Sequence, residues 1–246
     1  MYRFALTRLV MVLCATCVML ELHAQNNDVF QSWYRAKLSY MPHKKWSMSG
    51  IYVIRTENIG EQFRGSFYYL RARRKLKKGF FIDGQLRLRD NFSNTWYRSE
   101  VGLLYRKKWG EDKQYSMTLR TAYFNERNHL YFGDVEGLRL NHYWRFRALL
   151  KYTLNAANDL YFSAEPFVRI NNLFPEWRRT SYIVGWDYEF LRNNIFNVEY
   201  MFQQNFNSSR LFSLAIGYEH LIPYLSKKKR KKMKELKGSI KDFRDR

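Results

Sequence analysis

The chain has 246 residues, with 43 Lys and Arg against 22 Asp and Glu, a formal charge of +21, and an aromatic share of 18%. Its two cysteines, Cys14 and Cys17, lie together near the start, so the rest of the chain has no thiol for a disulfide, a metal site or a nucleophile. Past the start no run of about 20 apolar residues occurs, which excludes a transmembrane helix.

Residues 1–24 read as a removable signal peptide. Arg3 and Arg8 make a positive entry, residues 9–20 an apolar stretch too short to span a bilayer, and Ala24 a small residue at the expected cleavage point. Such a leader implies an envelope compartment, where the nucleic-acid reading of a basic chain loses its basis.

From 25 to 225 the chain is a series of segments of about ten residues in which apolar and polar side chains alternate. A strand places successive side chains on opposite faces, so this alternation sorts the residues into two surfaces. In the segment expected at 80–90, Phe80, Ile82, Leu86 and Leu88 fall on one face and Asp83, Gln85, Arg87 and Arg89 on the other. The same sorting recurs at 97–107, 115–124, 138–154, 160–170, 180–190, 195–205 and 211–220, and upstream at 46–55 and 67–76. A soluble core would not accept so many alternate arginines. The expectation is therefore all-β: a closed antiparallel transmembrane barrel of about 10–12 strands in the outer membrane of a Gram-negative cell, with a low mean hydropathy because only every second residue meets lipid.

The expected connections alternate between short (42–45, 77–79, 108–114, 155–159, 191–194) and longer (56–64, 91–96, 125–137, 171–179, 206–209). Short turns face the periplasm and long loops the outside. Trp46 and Trp109 beside short turns, and Trp96 and Trp177 beside longer loops, suggest aromatic girdles at both interfaces. Ten strands from 46 to 220 account for this pattern; the segment at 29–41 is either an eleventh strand or a piece lying in the lumen. Pro166, inside an expected strand, removes a ladder donor and predicts a bulge or a shifted boundary there.

The stretches FQSWYRAKLSYMPHKKWSMSGIYVIR (30–55), LRLNHYWRFRALLKYTL (138–154), YFSAEPFVRINN (161–172) and SYIVGWDYEFLRNNIFNVEYMFQQ (181–204) resemble a family of Gram-negative outer-membrane barrels catalogued as a domain of unknown function. The resemblance implies a barrel, placed by the barrel-insertion machinery, and supplies no activity. This chain departs from the family pattern by continuing for more than twenty residues past its last expected strand.

Two constellations carry chemistry. On the polar face, arginines dominate one run of strands (Arg71, Arg73, Arg87, Arg89, Arg106, Arg120, Arg145, Arg147) and acids the other (Glu165, Asp187, Glu189, Glu199, Glu219). In a closed barrel these walls would face each other, either as an ion-paired interior or as a charged path selecting anions. The second is the tail at 226–246, with eleven Lys and Arg against three acids. It reads as a basic periplasmic extension, solvated or adsorbed on anionic headgroups of outer-membrane lipid through Lys227, Lys228, Lys229, Arg230, Lys231, Lys232 and Lys234. Met233, Leu236, Ile240 and Phe243 recur at helical spacing, compatible with a short amphipathic helix.

Catalytic signals are thin: an interfacial enzyme modifying lipid A or phospholipid would have to build on His129 or His142 with Ser208 or Ser209. No Walker loop, dinucleotide turn or H-E-x-x-H pattern occurs, so neither a cofactor nor a metal is expected. The expected role is a non-enzymatic outer-membrane barrel, structural or permitting limited passage of a small solute. The alternatives are the lipid-modifying enzyme and an anion-preferring channel.

Overall fold

The structure is a computed structural model, describing residues 29–57, 62–91, 94–130, 140–170, 175–206 and 209–224. The expected signal peptide and the basic tail lie outside the described residues. Eleven strands follow one another: β1 (Val29–His43), β2 (Trp46–Glu57), β3 (Gln62–Lys75), β4 (Phe80–Asn91), β5 (Asn94–Trp109), β6 (Tyr115–Leu130), β7 (Leu140–Asn155), β8 (Asn158–Arg169), β9 (Glu176–Leu191), β10 (Asn194–Asn205) and β11 (Arg210–Ile222). Each pairs with its sequence neighbours, and β1 closes the barrel against β11.

The closing seam is parallel. Val29 lies beside Leu211 and Tyr40 beside Ile222, whereas the other ten pairings are antiparallel. An odd number of up-and-down strands makes the first and last run the same way, so only a parallel seam can close them. The barrel is therefore not antiparallel throughout, and the segment at 29–41 is a strand rather than a piece in the lumen. The start of β1 shares one end with the links at 58–61, 92–93, 131–139, 170–175 and 206–209. The end of β11 shares the other with those at 44–45, 76–79, 110–114, 156–157 and 192–193.

Most strands outrun the expected bounds. The loop expected at 91–96 shrinks to 92–93 because β4 and β5 pair up to Asn91 and Asn94. Much of the loop expected at 125–137 is strand, since β6 stays paired with β5 to Leu130. At 12–16 residues the strands exceed the 9–11 that a tilted membrane strand needs, leaving paired residues beyond the apolar belt.

Tight turns use left-handed residues. Lys78 and Gly79 have φ of 44° and 87°, and Asn193 has φ of 69°. Gly79 is required twice over, because a Cβ there would sit 2.3 Å from the Arg106 carbonyl oxygen while its own carbonyl accepts the Arg106 amide at 2.9 Å.

Pro166 keeps its place in β8. Pairing with β7 is interrupted between Phe167/Arg145 and Ala164/Ala148, which is where its missing donor falls, and the register with β9 shifts at Phe167/Val168. The bulge expected from the proline is thus one residue on.

Exposure alternates along the strands as the sequence does. Outward positions in mid-strand are apolar: Leu38, Leu70, Leu86, Val101, Leu119, Leu150, Val184 and Ile216 are all exposed. Aromatic side chains flank them toward both ends, with Tyr40, Trp46, Phe80, Trp109 and Tyr115 near the short turns and Tyr97, Tyr123, Trp144 and Trp177 near the other end. Among the described residues, outward charges occur only close to strand ends, at Arg74, Asp90, Lys107, Arg127, Arg178 and Arg210. Trp96 departs from the girdle expectation. It shares the inward parity of Arg98 and lies under the Arg89 guanidinium, 5.2 Å from ring centroid to Cζ.

Candidate functional site

The charged side chains fill the barrel interior, and register decides which of them meet. Gly102 and Ala122 face inward between Asp83 on β4 and Arg145 on β7, in one cross-strand row. With almost no side chain in the middle of that row, longer ones reach across it. A Cβ on Gly102 would lie 2.9 Å from Asp83 Oδ1. Arg120 donates over this gap to Asp83 at 3.1 Å and also pairs with Glu100; Arg145 pairs with Glu100 at 3.2 Å and with Glu165. Arg71 and Arg73 approach Asp83 at 3.3 and 3.5 Å. One carboxylate therefore serves three guanidinium groups.

The opposite wall repeats the device twice. Over Gly217 on β11, Arg35 of β1 reaches Glu199 of β10 through two hydrogen bonds of 3.1 and 2.6 Å. Over Gly185 on β9, the Tyr161 hydroxyl of β8 donates to Glu199 at 2.5 Å and accepts from Asn197 Nδ2 at 2.8 Å. Lys37 and Ser39 donate to Glu219 at 2.8 and 2.7 Å. Lys151 pairs with Asp159 at 2.6 Å and Asp187 at 3.1 Å.

The inward ion pairs run along the wall of the barrel. Each inward ion pair among the described residues joins neighbouring or next-neighbouring strands, because a side chain reaches one or two strand spacings of about 4.8 Å along the wall more readily than a barrel diameter. Of the acids named from sequence, Glu165, Asp187, Glu199 and Glu219 are ion-paired in this way. Glu189 is instead exposed at the rim, accepting the Asn193 amide at 2.9 Å. The arginines on the long-link half stack on rings: Arg87 lies 3.9 Å over Phe67, which is 1% exposed, and Arg55 lies 4.4 Å over the same ring. Arg98 pairs with Glu126 and covers Phe124; Arg179 covers Phe167. Sequence reasoning left Asp83, Glu100, Glu126, Arg35, Lys37, Lys151 and Tyr161 out of its site, although alternation sorts Asp83 onto the polar face.

Toward the short turns the lumen opens into a cavity of about 300 Å³. Its lining carries eight basic side chains, Arg106 and Arg147 among them, against the three acids Asp187, Glu199 and Glu219. Arg106 donates to Thr118 Oγ1 at 3.3 Å. Among the described residues, neither Arg106 nor Arg147 has a carboxylate within ion-pair distance, and the buried Nε of Arg73 and of Arg147 has no hydrogen-bond acceptor.

The histidine considered for catalysis has a plain neighbourhood. His142 stacks against Tyr123 on the outer face, centroids 5.9 Å apart, with Nδ1 2.5 Å from the tyrosine hydroxyl. Ser209 accepts from Asn205 Nδ2 at 3.0 Å. The side chain of His129, and Ser208, lie outside the described residues.

No family model matches the chain, and no curated protein matches it. Among solved structures it is similar to the NanC porin in a rhombohedral crystal form, at 17% identity over 71% of this chain and 86% of that one, with a TM-score of 0.46. It is also similar to the β domain of the Bordetella autotransporter BrkA, at 13% identity over 70% of this chain and 78% of that one, with a TM-score of 0.39.

Proposed function

We propose that the protein is an outer-membrane barrel that permits limited passage of small solutes through a narrow, positively lined lumen. The outer surface supports the membrane placement: mid-strand outward positions are apolar, aromatics flank them, and charges stay at strand ends, as a bilayer demands of a barrel. The lumen carries the reading of passage. Its ion pairs run along the wall between neighbouring or next-neighbouring strands, and toward the short turns they leave a cavity with a cationic surplus. Ring charges of one sign select the opposite ion in pores, so small anions are the favoured solutes. Liposomes carrying the refolded protein test this by swelling in isosmotic solutions. Small anionic solutes should enter faster than cationic ones of equal size, and disaccharides slowly or not at all; no swelling with any solute would leave a structural role.

A further inference from the structure

The two walls of the cavity are not equivalent. On β9, β10 and β11 every lining carboxylate already has donors from neighbouring or next-neighbouring strands: Glu199 has Arg35 and Tyr161, Asp187 has Lys151 and Asn197, Glu219 has Lys37 and Ser39. Those acids thus already have partners within hydrogen-bond distance. On the facing wall the cations outnumber their partners. Arg71 and Arg73 share Asp83 with Arg120, and Arg106 and Arg147 have no ion pair among the described residues. Desolvated guanidinium groups without a counter-charge are costly, and that cost falls when an anion takes the place of the missing carboxylate. The planar fork of arginine matches a phosphate or carboxylate edge with two parallel donors.

We infer that this cavity is a binding site for one small soluble oxyanion of the phosphate type bearing at least two negative charges, held by Arg106 and Arg147 with Arg71 and Arg73 beside them. A single charge would leave most of the surplus unmatched. The volume of about 300 Å³ is at the small end of ligand pockets and suits a compact anion with its water. The inference rests on the reading of the lumen as open to small solutes, here from the short-turn side.

The test uses the full chain refolded in a phosphorus-free zwitterionic detergent and titrated calorimetrically with inorganic pyrophosphate, ionic strength being fixed with sodium chloride. One saturable site is expected. Arg147→Gln and Arg106→Gln should each weaken it at least tenfold, Arg147→Lys less, and Lys107→Gln, outward at the same end, should leave it unchanged. A heat-modifiable gel band identifies variants that fold, and Arg147→Lys keeps the test sound where a neutral variant does not. Absence of saturable binding above that of chloride, or equal weakening by Lys107→Gln, would overturn the site. Displacement of pyrophosphate by phosphatidylglycerol added to the micelles would assign the site to a lipid headgroup and overturn a soluble ligand. Swelling on the same preparation separates the two claims: binding without swelling keeps the site and removes passage, whereas swelling without binding removes the site alone.

Discussion

Tyr161 and Glu199 stand two strands apart, yet the tyrosine hydroxyl donates to the carboxylate at 2.5 Å, because the residue between them is Gly185. A Cβ on Gly185 would sit 2.2 Å from Tyr161 Cζ. Since Glu199 also receives Arg35 from across the parallel seam, one carboxylate ties β8 to β10 and β10 to β1.

Gly185→Ala should therefore destabilise the barrel by about 1–3 kcal/mol, the usual range for overpacking, as the ring is pushed off Glu199. Gly50→Ala, where a Cβ would meet nothing within 4 Å, is the matched control and should change stability little. Urea unfolding of the refolded protein, followed by tryptophan fluorescence, measures both.

Asp83 is shared by Arg71, Arg73 and Arg120 and is almost fully buried at 2% exposure. Its replacement by Asn should cost about 3–5 kcal/mol, because removing one partner strands the buried charges that remain. Gln85→Ala, on the same face of the same strand, should cost less. An equal loss in the unfolding midpoint for both would deny Asp83 its place at the centre of the network.

On the lipid side, Leu86→Arg and Phe146→Arg should each impair assembly by about 2–4 kcal/mol, the range for a cation at the midplane of a barrel. Thr153→Arg, facing inward beside Asp159, should be tolerated. The heat-modifiable band reports the fraction folded; equal damage at all three positions would mean that the outer face does not meet lipid.

With eleven strands the two ends of the barrel sheet lie on opposite sides. Single cysteines at Val29 and Pro175 should share one accessibility to an impermeant thiol reagent on intact cells, and those at Asp112 and Tyr224 the other. Labelling of Val29→Cys together with Tyr224→Cys would break the parallel seam.

Much of this architecture is legible in the sequence because a period of two is a local property. Leu86 and Gln85 declare their faces from their neighbours alone, whereas the segment at 29–41 leaves the strand count open between ten and eleven. Pairing is not local. That Arg120 meets Asp83 rather than an acid on the far wall depends on registers that place Gly102 between them, and no spacing within one strand encodes it. Arg87 and Arg89 look like ion-pair partners in sequence, but in the fold their guanidinium groups lie over the rings of Phe67 and Trp96. The short link at 92–93 was hidden for a simpler reason: Asn91, Ser93 and Asn94 favour turns, and their chemistry does not say how few residues the turn needs.

The measurement that bears most directly on a positively lined passage is the reversal potential of single channels in a planar bilayer under a potassium chloride gradient. The account predicts small discrete conductance steps with a reversal potential on the chloride side, moving toward zero in an Arg106→Gln, Arg147→Gln double variant that keeps its folded band. A cation-selective reversal potential, or folded protein that gives no steps at all, would contradict it.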